Sequence, residues 1–218
     1  MPGTIETLPA LEIPGHAPST PDGAAHPMRV MTRRAAGLEG PPWDAEARGQ
    51  VGALFDELAG DWHTRSTPER TRVVVDALDR GGVGRGGTAL ELGSGIGTYT
   101  ALLAERFDHV LAVDLSEAML RLAEPAPGAR VRADCCDLPV PDASVDAVVL
   151  VNMLLFPAEV DRVLAPGGCL VWVNSSGEAT PIHLLPDEVA AALPGTWTGV
   201  SARAGAGLWT VLRRAPAA

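Results

Sequence analysis

The stretch ALELGSGIGTYT, residues 89–100, runs from an apolar segment holding one acid, Glu91, into a turn with three glycines, Gly93, Gly95 and Gly97. Apolar residues on both sides of Glu91 read as a buried strand over Thr88–Leu92, and Thr98–Arg106 follows as a helix. Strand, bare turn and helix in that order make the first half of a parallel crossover unit. Missing side chains let backbone approach a ligand closely, and free N–H groups opening the next helix would favour an anionic group on it. The turn alone does not choose between a nucleotide site and a plain tight connection.

The alternation continues downstream. Strands are predicted over His109–Asp114, Ala129–Ala133, Val145–Val151 and Cys169–Asn174, with helices over Glu117–Ala123 and around Ala158–Leu164. Near-continuous apolar strands alternating with helices indicate an α/β fold, a parallel sheet covered on both faces. TWTGVSARAGAGLWTVLRR, residues 196–214, reads instead as two strands joined by a glycine turn, a hairpin that adds an antiparallel strand.

Upstream, Val51, Leu54, Phe55 and Leu58 recur at helical spacing within Asp44–Leu58, and a second helix is predicted over Thr67–Leu78. Its start has two registers: Ser66 as cap with Glu69 completing a capping box, or Thr67 as cap with Pro68 in the first helical position. GGVGRGG, residues 81–87, precedes the strand instead of following it, so it is expected to be a flexible connection and not a phosphate loop. Prolines at 2, 9, 14, 18, 21 and 27 make residues 1–28 an expected flexible arm. The organisation expected is therefore that arm, N-terminal helices over 29–80 as a possible lid, and a core domain over 81–218.

The length of 218 residues suits one main domain, and an apolar share of 46% is enough for a packed core. The formal net charge of −10 opposes phosphate-backbone binding, so a small-molecule partner is expected and a nucleic acid is not. All basic residues are Arg. The N-terminal residues lack the charged flank and apolar run of a secretory signal, and the most apolar stretch, 147–156, is shorter than the roughly 20 residues a membrane span needs. A cytoplasmic protein without membrane attachment is expected. Cys135, Cys136 and Cys169 show no metal-binding spacing, so no metal is expected and the adjacent pair is read as inert.

In an open parallel sheet, ligands bind outside the carboxyl ends of the strands, where strand order reverses. Asp114 ends the second strand of the alternation, where a carboxylate can accept both hydroxyls of a ribose. Asp134 ends the third and can accept from an exocyclic amine. Each acid alone could be a helix cap or turn former. Together, with Glu91, they describe an adenosine pocket.

ALELGSGIGTYTALLA, VLAVDLSEAMLRLA, RADCCDLPVPDASVDAVVL and RVLAPGGCLVWV, taken in that order over residues 89–173, resemble the class I S-adenosylmethionine-dependent methyltransferases, specifically the small-molecule methyltransferase type 11 group. The resemblance implies a doubly wound, Rossmann-like sheet of seven strands, ordered 3-2-1-4-5-7-6 with the seventh antiparallel. It implies S-adenosyl-L-methionine as cofactor and S-adenosyl-L-homocysteine as product. By the same resemblance, Gly93, Ser94, Gly95 and Gly97 line the methionine end and Glu91 helps place its ammonium. Asp114 holds the ribose, Leu115 packs on adenine, and Asp134 with the Cys135 backbone reads the adenine edge. Asn152 flanks the methionine group and faces the acceptor.

Acceptor-side candidates are Trp43, Phe55, Trp62, His63, Asn152, Met153, Phe156, His183 and Trp209. Trp62 or His63 stands where relatives often have a lid Tyr, and His183 or His63 is the candidate base, needed only for an acceptor that must lose a proton early. A charged surface helix accounts for Arg33 and Arg34. The NMLLF run after the fourth strand lacks the N-P-P-Y pattern of nucleobase amino methyltransferases. Two other readings compete. A nicotinamide-dependent oxidoreductase shares the glycine turn and following acid, but Thr98 stands where the third glycine belongs, and without Lys no Tyr-x-x-x-Lys pair exists. A non-catalytic cofactor-binding module would share the fold without the turnover.

Overall fold

The structure, a computed structural model, describes residues 3–16 and 25–216. In chain order it contains strand β1 (Ile5–Thr7), helices α1 (Met28–Ala35), α2 (Ala45–Leu58) and α3 (Pro68–Arg80), strand β2 (Thr88–Leu92) and helix α4 (Thr100–Ala104). There follow β3 (His109–Asp114), α5 (Glu117–Leu122), β4 (Ala129–Arg132), β5 (Val145–Val151), α6 (Pro157–Val163) and β6 (Leu164–Asn174). Helix α7 (Pro186–Ala192) and the hairpin β7 (Trp197–Ala204) and β8 (Gly207–Arg214) complete it. Among the described residues no helix is long and apolar enough to cross a membrane.

One sheet of eight strands runs in the order β1-β7-β8-β6-β5-β2-β3-β4. From β4 to β7 this is the expected seven-stranded order, with β8 antiparallel to both β6 and β7. The eighth strand corrects the expectation of a flexible arm over 1–28. Ile5–Thr7 pairs in parallel with Gly199–Ser201, Leu8 N–H donates to the Ser201 carbonyl at 2.8 Å, and Leu11 N–H to that of Arg203 at 2.9 Å. Ile13 is buried in the core. Pro9 falls between the pairings of Leu8 and Leu11 and Pro14 after them, positions an edge strand tolerates, and the segment covers what would be an open edge of β7. The other end of the arm is corrected too, since Met28 is a buried first residue of α1; residues 17–24 lie outside those described.

Strand side chains alternate between two apolar clusters, as period-2 geometry requires. Leu90, Leu92, Val148, Leu150, Leu170 and Trp172 belong to one, packed with Val51 of α2, Val160 of α6 and Val189 of α7. Ala89, Ala147, Val149, Val171 and Val173 belong to the other, packed with Val73, Ala77 and Leu78 of α3 and Leu103 of α4. The helix starts follow local chemistry: Asp44 caps α2 by accepting from Ala47 N–H at 2.8 Å, and Thr67 caps α3 with Pro68 in the first turn. The Thr67 register is therefore the one adopted. The 81–87 connection is hydrogen-bonded and not loose. Gly86 N–H donates to the Arg106 carbonyl, Gly87 N–H to Asp108 and Thr88 N–H to Asp146, which leaves little there for a phosphate.

Candidate cofactor and acceptor cleft

The carboxyl ends of β4, β3, β2, β5 and β6 lie side by side along one edge, spaced by the interval of a hydrogen-bonded sheet. A cleft of about 500 Å³ opens above them, within the range of small-molecule sites. Of the predicted residues, Gly93, Ser94, Gly95, Asp114, Leu115, Asp134, Cys135 and Asn152 line it. Glu91, Gly97, His63 and His183 do not.

The glycine turn is built by necessity. Gly93 has φ +70°, and a Cβ there would meet Met153 Sδ at 2.4 Å; Gly95 has φ +55° beneath the Trp62 indole. The turn is also more self-contained than expected. Gly93 and Ser94 N–H both donate to the Val113 carbonyl, and Gly97 N–H donates to that of Ser94. Helix α4 begins only at Thr100, not Thr98, and spans five residues, so the expected row of free helix N–H groups is not formed beside the cleft. Ser94 is different. Its hydroxyl oxygen is buried on the cleft wall and has no partner among the described residues.

Asp114 is held in place from two sides. Oδ2 accepts Gly95 N–H at 2.7 Å and Oδ1 accepts Ser116 N–H at 2.8 Å, binding the end of β3 to the glycine turn. Burial raises its pKa, opposed by these two N–H donors. An ionised carboxylate has about four acceptor sites, so Asp114 keeps capacity for a ligand. Asp134 accepts Cys136 N–H on Oδ1 and the Trp43 indole N–H on Oδ2, at 3.1 and 3.2 Å. Cys135 is buried, which pushes its thiol pKa up and agrees with an unreactive cysteine.

Glu91 sits beneath this floor. It is buried and accepts the Thr100 hydroxyl on Oε2 at 2.6 Å, and burial raises its pKa to about 7. It braces β2 against α4 without facing the cleft. His183 is buried away from the wall, its Nδ1 without a partner among the described residues, and burial followed by the Arg29 charge lowers its pKa to about 4. His63 is exposed, its Nδ1 3.2 Å from the Gly60 carbonyl. Neither histidine is among the residues that line the cleft. Trp209 is in the core, donating to Asp76 at 2.7 Å, while Arg33 and Arg34 form ion pairs with acids of the surface.

The remaining acceptor candidates form the roof and far wall. Trp43 stands edge-on to Phe156 with ring centroids 5.1 Å apart, and Phe55 edge-on to Trp62 at 5.5 Å. Arg65 stacks over Trp62 at 4.8 Å. Residues that sequence reasoning missed are His26, Arg70, Ser175 and Thr180, all on the wall. Ser175 follows the last residue of β6, a position where the alternation rule could have singled it out; the others carry no local pattern.

Residues 90–172 match the family described as Methyltransferase domain. The chain is 36% identical over 152 residues to a demethylmenaquinone methyltransferase of Clavibacter sepedonicus, covering 62% of this chain and 61% of that one. It is 35% identical over 139 residues to a trans-aconitate 2-methyltransferase of Azoarcus sp. (strain BH72), covering 59% and 53%. The chain thus spans less than two thirds of the length of these curated relatives. Among solved structures, the DhpI–SAH complex superposes with TM-score 0.61 at 23% identity, covering 76% of this chain and 95% of that one. A SAM-dependent methyltransferase from Aquifex aeolicus superposes with TM-score 0.56 at 19% identity, covering 70% and 97%; both likenesses concern the fold.

Proposed function

We propose that this chain is a class I S-adenosylmethionine-dependent methyltransferase and that it transfers a methyl group from S-adenosylmethionine to a small organic acceptor by in-line displacement, a reading supported by the Methyltransferase-domain match over residues 90–172. One observation carries the reading: Asp114 at the end of β3 and Asp134 in the loop after the neighbouring β4 reach a single cleft whose floor is the bare backbone of Gly93 and Gly95. The unpartnered, buried Ser94 hydroxyl on the same floor supports a polar ligand there.

The donor set suits this cofactor. In this reading Asp114 uses its remaining lone pairs on the ribose hydroxyls, Leu115 packs on adenine, and Asp134 with the Cys135 backbone reads the adenine edge. Gly93, Ser94 and Gly95 face the amino-acid tail. Glu91 and Gly97 act from behind this wall by holding the turn. The cofactor supplies, when bound, a methyl group already activated on a sulfonium. The chain's own work is then to align donor and acceptor at about 3 to 3.5 Å and to exclude water, which the ring pairs Trp43–Phe156 and Phe55–Trp62 favour as walls. The relatives named for demethylmenaquinone and trans-aconitate support a small-molecule acceptor. A cytoplasmic location without a nucleic-acid partner goes with this reading, supported by the net charge of −10.

Calorimetric titration with S-adenosylhomocysteine and with NADH tests it. The first is expected to bind and the second not. Binding of NADH alone would return the assignment to a nicotinamide enzyme. Binding of S-adenosylhomocysteine with no turnover across a broad acceptor panel would favour a non-catalytic module.

A further inference from the structure

We propose that the β5–β6 end of the cleft takes an uncharged, largely apolar acceptor, and that the Ser175 hydroxyl donates a hydrogen bond to an oxygen on it. The proposal rests on the methyltransferase reading and names its substrate class.

The hydrogen-bond geometry of two residues fixes where the Ser175 proton goes. Ser175 N–H lies 2.9 Å from Asn152 Oδ1, and the Asn152 amide nitrogen lies 2.9 Å from Ser175 Oγ. A backbone N–H only donates, so the amide must turn its oxygen to it and its NH2 to the hydroxyl. That NH2 also only donates, which makes Ser175 Oγ the acceptor in the second bond. The hydroxyl's own proton therefore points elsewhere, and among the described residues no protein acceptor takes it. Ser175 is 1% exposed and lines the cleft. A buried donor left open on a cavity wall calls for an acceptor atom from the ligand.

The pair is rigid. Asn152 N–H donates to the Val173 carbonyl at 2.9 Å, and Asn152 has φ +52°, a left-handed conformation that Asn tolerates. Thr180 repeats the pattern nearby: its Oγ1 accepts Ser176 N–H at 3.2 Å, and no acceptor for its proton is found among the described residues. Two hydroxyl donors thus face this end of the cleft.

The surroundings are largely apolar, and the Arg29 guanidinium nearby is not among the residues lining the cleft. Met28, Met153, Phe156 and Ile182 form the wall here. The carboxylates Asp114 and Asp134 belong to the β3 and β4 ends. Arg65 is stacked on Trp62, and Arg70 donates to the Arg65 carbonyl at 2.9 Å, on the side where Ser66 meets Thr98 beyond the glycine turn. Arg29 donates to the carbonyls of Glu178, Thr180 and His183. His26 accepts Met28 N–H on Nδ1 at 3.1 Å. A carboxylate bound against this wall would lose its hydration without gaining an ion pair, whereas a phenol or ketone of the same shape would keep its hydrogen bond and bury its ring.

The probes are 1-naphthol and 1-naphthoate, equal in ring and opposite in charge at neutral pH, titrated calorimetrically into the protein saturated with S-adenosylhomocysteine. Naphthol is expected to bind at least about tenfold more tightly. Ser175→Ala should weaken naphthol about fivefold while Ser175→Thr, which keeps the donor, retains it. S-adenosylhomocysteine affinity should stay within about twofold in both variants, which also reports that they fold. Naphthoate binding as tightly as naphthol, naphthol affinity unmoved by Ser175→Ala, or neither probe binding to protein that holds S-adenosylhomocysteine would each overturn the proposal. Failure of S-adenosylhomocysteine itself to bind would instead remove the cofactor assignment beneath it.

Discussion

The Trp43 indole N–H donates to Asp134 Oδ2 across 91 positions of sequence, joining the segment before α2 to the loop after β4. Trp43 is thereby a side wall of the expected adenine site and a reporter of its occupation. Adding S-adenosylhomocysteine should change the tryptophan emission, and Trp43→Phe should remove more than half of that change, Trp62 being the other indole on the cleft. An emission change retained in full by the variant would separate Asp134 from the ligand.

Asp114 has two duties, because the oxygens offered to a ribose also hold Gly95 and Ser116 N–H. Asp114→Ala should weaken S-adenosylhomocysteine binding tenfold or more, from loss of a charged acceptor worth about 1.5 to 3 kcal/mol. It should also lower stability by about 1 to 3 kcal/mol by leaving two buried donors unpaired. Calorimetry and urea denaturation of the same samples read both effects. Unchanged affinity would withdraw the ribose assignment.

Glu91 gives the fold a pH dependence that cofactor contact does not explain. Its folded pKa of about 7 lies above the ordinary 4.5, so the native state binds a proton through that window that the unfolded chain has already released. Stability from this group is therefore greatest below 4.5 and falls as pH rises toward 7, by about 3 kcal/mol in all. Glu91→Gln keeps an oxygen for Thr100 and removes the titration. The variant should gain stability relative to the parent at pH 8 and little at pH 4.5, with S-adenosylhomocysteine affinity far less affected than in Asp114→Ala. Parallel stability curves for the two proteins would contradict this.

The core strands were legible because their signals are local: VDAVVLV of β5 reads as a doubly covered strand, and the acids that end β3 and follow β4 stand at turns the same pattern predicts. What was not legible depends on distant partners. Three residues, IET, carry no pattern of their own, and β1 exists because β7 leaves an edge free far along the chain. Glu91 reads as a ligand-facing acid until Thr100 is seen to take its carboxylate, and the shortness of α4 follows from the same tight turn. The donor role of Ser175 depends on which way the Asn152 amide faces, which no one-dimensional pattern contains.

His183 was, with His63, a sequence candidate for a base, and its burial gives it an expected part in pH-dependent stability. Its folded pKa of about 4 is below the ordinary 6.5, so between these values the unfolded chain takes up a proton that the folded one refuses. Stability falls as pH drops through that window. His183→Leu should make the loss between pH 6.5 and pH 4 shallower in denaturation experiments and leave S-adenosylhomocysteine binding unchanged. A turnover assay losing an ionisation limb near neutrality in this variant would restore the catalytic role.

Gly93 and Gly95 both adopt left-handed backbone, yet they should respond differently to a methyl group. At Gly93 a Cβ would stand 2.4 Å from Met153 Sδ and 2.8 Å from its Cγ, so the Met153 side chain, which lines the cleft, must shift. At Gly95 the nearest atom is Trp62 Nε1 at 3.4 Å, an ordinary contact. Both alanine variants carry a backbone cost of about 1 kcal/mol or more from positive φ. Gly93→Ala adds overpacking of about 1 to 3 kcal/mol and should lower the denaturation midpoint further. It should also weaken S-adenosylhomocysteine binding more than Gly95→Ala does, because the displaced Met153 side chain lines the cleft between the β2 and β5 ends. Equal losses in both variants would mean that backbone conformation alone governs this turn and that Met153 does not close on the site.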